Sequence, residues 1–255
     1  MELDETSTTP LGGDPQMVPG DKWIRGLLDG ETVVDSRSYQ FVWEVPYWPW
    51  WFFPRDHING DLVASADQHA PSQLPDGAVR YDLRCAGKAL EGAARGYPDH
   101  PDLAGLVTVD FDALDHWFEE DIEVFVHPRS PYTRVDALAS SRHVVVSLHG
   151  VVLADSDKPT VLFETGVPAR YYLPKTDVNL RLLAENDRRS SCPYKGDATF
   201  FVGHVNDSRI EDIAWTYTLP RPEVTPIAGH ICFYDEKVDI DIDGERQQRP
   251  RTHFH

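Results

Sequence analysis

Cysteine is scarce in this 255-residue chain, long apolar runs are missing, and there is no excess of basic residues. Each shortage closes off a class of function. The three cysteines, Cys85, Cys192 and Cys232, are odd in number and widely spaced. They form no disulfide framework and fit a reducing, cytoplasmic setting. No Cys-x-x-Cys pair is present, and His143, His149, His204 and His230 are scattered along strand-like segments, so no metal is expected and no cofactor is assigned. No apolar stretch is long enough to span a bilayer, and no basic segment followed by an apolar run opens the chain, so no membrane is expected. Against 42 Asp and Glu there are only 24 Lys and Arg, a formal net charge of −18. Such a surface does not release counterions from nucleic acid or dock on anionic lipid. A local basic pocket can still hold an anion.

What the chain does have is an internal repeat. Shifted by about 120 positions, the sequence matches itself without a gap from Leu28/Leu148 to Tyr97/Tyr217. Gly30 meets Gly150, Asp35-Ser36 meets Asp155-Ser156, Glu44 meets Glu164, and Pro54, Asn59 and Leu62 meet Pro174, Asn179 and Leu182. This gives a mobile leader over 1–21, a first copy over 22–127, a linker over 128–141, a second copy over 142–243 and a tail over 244–255. A copy of this size can bury its own core.

The second copy reads as β throughout: a hairpin turning at Gly150, strands over 161–164 and 169–173, a short turn or helix from Pro174, a hairpin around Asn206-Asp207-Ser208, and a last hairpin of 227–234 with 238–242. The expected fold class is mainly β, two tandem small antiparallel β domains with little helix. In the first copy, 111–118 reads as a short helix capped by Asp112, and Phe118-Glu119-Glu120 aligns with Tyr234-Asp235-Glu236.

The copies differ where chemistry would reside. Ser191-Cys192-Pro193-Tyr194-Lys195-Gly196-Asp197 in the second copy stands against Pro71-Ser72-Gln73-Leu74-Pro75-Asp76-Gly77 in the first. Arg170-Tyr171-Tyr172 stands against Trp50-Trp51-Phe52, Asp177 against His57 and Trp215 against Arg95. Two readings of Glu164 stay open. If it faces inward it is a general acid–base; otherwise it is a structural carboxylate, which its retention as Glu44 favours. Lys195 points a cation at a carboxylate or an anionic ligand, or it is a solvated lysine. Cys192 is a nucleophile if Lys195 stabilises its thiolate, and a packed thiol otherwise. Of Tyr171 and Tyr172, one lines a pocket and the other faces away. Trp215 and Tyr217 share a face and make either an aromatic wall or plain core.

Gly150…Ala154-Asp155-Ser156, Phe163-Glu164-Thr165-Gly166, Tyr171-Tyr172-Leu173-Pro174…Asp177, Cys192-Pro193-Tyr194-Lys195-Gly196, Ala214-Trp215-Thr216-Tyr217 and Ile227-Ala228-Gly229…Phe233-Tyr234 occur in this order. In these motifs the second copy resembles the domain-of-unknown-function family 427 (DUF427), and the first copy resembles a degenerate member in tandem with it. The resemblance implies a β-tent fold, similar to those of methionine sulfoxide reductase B and the tumour protein, and no established activity. A nucleotidyltransferase label attached to the family finds no support, since neither a glycine-rich phosphate loop nor a metal-spaced aspartate pair is present.

Two functions are weighed. In the first, a small molecule binds in one pocket of the second copy, with Glu164, Lys195 and Cys192 as its reactive groups. Tyr171, Tyr172, Tyr194, Trp215 and Tyr217 line that pocket, and Asp177 sits at its rim. In the second, the chain is a non-catalytic interaction module that uses the aromatic run Tyr47-Trp48-Pro49-Trp50-Trp51-Phe52-Phe53. That run looks too aromatic for one small core, so Trp48, Trp50, Trp51 and Phe52 are expected to seal the two copies together.

Overall fold

The computed structural model describes residues 16–45, 48–68 and 77–250. It divides into two compact units, Met1–Ser130 and Pro131–His255. In the first unit the strands are β1 (Met17–Gly20), β2 (Ile24–Leu28), β3 (Glu31–Ser36), β4 (Tyr39–Val42), β5 (Trp50–Pro54), β6 (Asp61–Ala64), β7 (Val79–Cys85), β8 (Lys88–Gly96), β9 (Leu106–Val109), β10 (His116–Glu119) and β11 (Ile122–Val124). The second unit repeats them as β12 (Val135–Ala139), β13 (Val144–Leu148), β14 (Val151–Ser156), β15 (Thr160–Glu164), β16 (Val167–Leu173), β17 (Leu183–Cys192), β18 (Gly196–Val205), β19 (Ser208–Tyr217), β20 (Ile231–Phe233), β21 (Asp239–Ile242) and β22 (Glu245–Arg246). Sheet order repeats as well. The first unit has β1-β4-β5-β9-β8-β7-β6 and β11-β10-β2-β3; the second has β12-β15-β16-β20-β19-β18-β17 and β14-β13-β21-β22. The fold is therefore two tandem β domains, each built from a seven-stranded and a four-stranded sheet.

Local sequence accounts for the joints. Asp29-Gly30 and His149-Gly150 turn β2–β3 and β13–β14 with positive φ at both residues, the two-residue turn that matches strand twist. In each unit one face of the large sheet packs on the small sheet. In the second unit Leu173, Phe201, Ile213, Ile231 and Phe233 meet Val144, Val146, Leu153 and Ile240 there. The opposite, outer face of that sheet holds Leu162, Tyr172, Phe200, Trp215, Tyr217 and Cys232, covered by Val224 and Ile227 of the 3-10 segment Pro222–Ile227.

The structure corrects several expectations. The helix over 111–118 is one 3-10 turn, Phe111–Ala113, preceded by Asp110 rather than capped by Asp112. His116–Glu119 is strand, because Trp117 is needed in the inner core, where it stacks on Phe53 and Phe111. Ile231–Phe233 and Asp239–Ile242 are not a hairpin; the chain leaves the large sheet and joins β13 of the small one. Glu120 therefore matches Asp243 instead of Glu236. Both have positive φ, and their carboxylates accept the backbone N–H of Trp23 and His143 respectively. The linker contains β12, the leader contains β1 and the tail contains β22. The hydrophilic stretch 183–192 is strand β17, whose charged side chains suit a sheet edge. Tyr47, the segment 71–76 and the last residues from 251 lie outside the described residues.

Within the aromatic run, Trp50, Trp51, Phe52 and Phe53 pack in clusters of their own unit. Alternation along β5 sends Trp51 and Phe53 to the inner core. Phe52 and Trp50 go to the outer face, with Val42, Tyr97 and Leu103. Trp51 and Phe52 are 2% and 0% exposed, and Trp48 stacks on His127 at 5.2 Å. A strand that is buried on both faces absorbs more rings than a single core could.

Gly26 and Trp117 are cross-strand partners, and their counterparts are Val146 and Ile240. A Cβ on Gly26 would lie 2.6 Å from Leu114 Cδ1 and 2.9 Å from the Trp117 ring. Gly beside Trp in one unit and Val beside Ile in the other fill the same space. Gly26→Val is predicted to cost about 1–3 kcal/mol by overpacking. Adding Trp117→Ile should recover at least half of that loss in a urea-unfolding double-mutant cycle. A double variant no more stable than the sum of the singles would refute the compensation.

Candidate functional site

The outer face of the second unit's large sheet gathers most of the expected residues. The turn Pro193-Tyr194-Lys195 joins β17 to β18 across the Cys192/Gly196 pair. Gly196 has φ +99, and a Cβ there would sit 3.3 Å from Leu219 O. The turn is tied down where Arg221 N donates to Lys195 O at 3.1 Å. This aims Lys195 Nζ at Glu164 Oε2, at the end of β15, and the two form an ion pair only 13% and 11% exposed. Burial alone would lower the Lys195 ammonium, but Cys192 and Glu164 beside it outweigh burial and hold it above its ordinary range. Lys195 is thus a fixed positive charge, not a base or an amine nucleophile. Cys192 and Tyr194 are half-buried at the same turn.

Beneath the pair lie the aromatics. Trp215 Nε1 donates to Tyr172 OH at 3.1 Å, and Tyr172 and Tyr217 rings are 6.4 Å apart. Burial first, then neighbouring acidic groups, push both phenols well above their ordinary range, so they stay neutral. Tyr172, Trp215 and Tyr217 are 1%, 8% and 5% exposed. They form a floor under the covering 3-10 segment more than an open wall. Tyr171 points to the opposite face and packs against the inner core.

Asp177 does not join them. It lies past the far end of β16 from Glu164, and the seven residues of that strand span about 20 Å. Its Oδ2 accepts from Ser156 Oγ at 2.7 Å. In the first unit His57 Nδ1 meets Ser36 Oγ at 2.8 Å. Asp177 thus closes the end of β14 and does not rim the site.

Sequence reading missed a second ionic group on this face. Arg170 alternates with Tyr172 and so shares its side of the sheet, a signal the spacing contained. Its Nη2 bonds Glu236 Oε1 at 2.7 Å, its Nη1 lies 3.2 Å from Asp235 Oδ1, and its guanidinium sits 5.8 Å from the Trp215 ring. The first unit has the same parts exchanged. Arg95, at the position of Trp215, lies 4.3 Å over Trp50, at the position of Arg170. Arg95 Nη2 bonds Glu44 at 2.5 Å, and Tyr97 OH donates to the same carboxylate at 2.5 Å. Because Trp215 has displaced the arginine in the second unit, Glu164 draws its cation from Lys195.

Two matches to one family decide the relationship. Residues 16–120 and 136–244 each match the domain of unknown function DUF427. The chain belongs to the DUF427 family. No curated protein matches it. Among the described residues, no helix of this tandem DUF427 chain is long and apolar enough to cross a membrane, and no group of three or more His, Cys, Asp or Glu is placed to hold a metal ion.

Burial, opposed by Arg170 and reinforced by Glu236, raises the Asp235 carboxyl from 3.8 to about 6. A carboxyl raised on folding stabilises the native state in full only below its unfolded value. That contribution is lost as pH rises through the folded value. The stability of wild type relative to Asp235→Asn should therefore increase between about pH 7.5 and about pH 4.5, as measured by chemical unfolding at each. A pH-independent difference would contradict the burial of that carboxyl.

Proposed function

We propose that the second DUF427 domain binds a small molecule at the mouth of the β17–β18 hairpin, and that the first domain is a degenerate copy serving as scaffold. The reading rests on one observation. A buried Lys195–Glu164 pair lies beside the half-buried Cys192, at a turn whose counterpart residues in the first copy, Pro71 to Asp76, include no cysteine, tyrosine or lysine. A cation already withdrawn from water and held by one carboxylate loses little on exchanging that partner for an anionic or polar ligand group. Glu164 would then be released as an acceptor. The nucleophile-type side chain at this turn is Cys192, beside the fixed Lys195 ammonium. Tyr194 flanks the entrance, and Tyr172, Trp215 and Tyr217 supply the apolar floor. The small polar molecule, the soluble cytoplasmic setting and the β-tent form of each domain are parts of the same proposal.

A thermal-shift screen against nucleotides, sugars, amino acids, carboxylates and thiols tests it. A ligand at about 100 times Kd stabilises by about 2.7 kcal/mol. The expected result is a concentration-dependent rise in Tm for wild type and for Trp48→Ala, lost in Lys195→Ala. Silence for wild type, or a shift that Lys195→Ala retains, counts against the site.

A further inference from the structure

The first unit fills with rings a space that the second leaves open. Trp51, Phe111 and Trp117 pack together in the first unit. Their ring centroids are 6.3 Å apart for Trp51 and Phe111, 5.7 Å for Trp51 and Trp117, and 5.6 Å for Phe111 and Trp117. Backbone pairing fixes the counterparts. Ala93 O accepts from Asp110 N, and Ile213 O, at the repeat position of Ala93, accepts from Tyr234 N. Asp110 therefore matches Tyr234, and Phe111, the next residue, matches Asp235. Trp51 matches Tyr171 in the repeat, and Trp117 matches Ile240, opposite Gly26 and Val146 respectively.

These three counterparts, Tyr171, Asp235 and Ile240, line a single cavity of about 160 Å³. Pro168, Val238 and Ile242 add to its apolar wall. It opens where β16 and β20, paired at Tyr172/Cys232 and Leu173/Ile231, give way after Phe233 to the crossing toward β21. Val146 beside Ile240 makes up the volume of Trp117 beside Gly26, but no ring stands in for Phe111. Asp235 is the smaller side chain, and its carboxylate is turned to Arg170, with Oδ1 3.2 Å from Nη1. The cavity is thus bounded by the positions that touch the Phe111 ring in the first unit. An apolar cavity of about 150 Å³ is enough to take a benzene ring.

The charged residues on the lining are already matched, Asp235 by Arg170 and Arg249 by Asp239 at 2.9 Å. A ligand charge brought here would give up its hydration for little in return, whereas a neutral ring would not. We propose that this cavity is a second ligand site, taking a small neutral molecule with one aromatic ring, held against Tyr171 and Ile240 as the Phe111 ring is held against Trp51 and Trp117. The site is separate from the one at Lys195 and stands or falls independently of it.

Benzyl alcohol is the probe, with benzylamine and benzoate as charged counterparts of similar size. Methyl NMR of the full chain at neutral pH follows Val238, Ile240 and Ile242. Saturable benzyl alcohol shifts are expected at these methyls in wild type, in Lys195→Ala and in Asp235→Asn alike, with both charged probes at least ten-fold weaker. Asp235→Phe, which supplies the missing ring from the chain, should abolish the shifts. So should Val146→Gly combined with Ile240→Trp, which rebuilds the first unit's pair and keeps the proposal testable if Asp235→Phe does not fold. Absence of saturable shifts in wild type would overturn the proposal, as would equal binding of a charged probe or undiminished binding in a folded ring-filling variant. Loss of binding in Asp235→Asn would show that charge and not shape is recognised, and loss in Lys195→Ala would place the probe at the hairpin; either refutes the site as proposed.

Discussion

A carboxylate withdrawn from water must be given a cation, and the outer face of both domains is arranged around that need. Glu44 and Glu164 occupy the same place near the end of the second strand of the large sheet, one with a side chain 0% exposed and the other 11%. An unpaired carboxylate there would be strongly destabilising, because the energy of the pair in a low-dielectric setting is needed to offset desolvation. The first domain meets the need with Arg95 from the middle of the sheet, and with Tyr97. The second sends Lys195 from a hairpin turn.

The cation could move only because other residues moved with it. Arg95 over Trp50 becomes Trp215 under Arg170, so the ring and the guanidinium exchange strands while keeping contact. The displaced arginine then needs new counter-charges. It finds Glu236 and Asp235 in the segment where the first domain has the 3-10 turn after Val109. The Gly26/Trp117 and Val146/Ile240 pairs are the same kind of exchange made in volume instead of charge. Close packing explains why such changes come in pairs: an interior without voids transmits any single change to its neighbour.

How much of this was legible in the sequence follows from the range of each interaction. The repeat, the β character and the glycine turns are local or periodic, and they were readable. The alternation that separates Tyr171 from Tyr172 was readable too, and it held the position of Arg170 on the same face. What failed was non-local. His116–Glu119 takes strand pairing because Trp117 is needed against Phe53. Strand β17 is hydrophilic because it lies at a sheet edge, so no apolar period marks it. Asp177 looked like a site residue because it differed from His57. Yet the two side chains do the same work against Ser156 and Ser36, and difference in type was not difference in role.

That last point limits what divergence between copies can mean and sharpens where it still carries weight. Where a changed residue has a changed partner doing the same work, as with Asp177 or Arg170, the fold alone explains it. By that standard Lys195 is explained in part, since it restores a cation to Glu164. Cys192 is not, for the ammonium alone balances the carboxylate. A three-residue turn tethered by Arg221 could be closed by many side chains. A thiol held half-buried at the same turn as a fixed ammonium is therefore the feature on which the proposed site at the hairpin mouth rests.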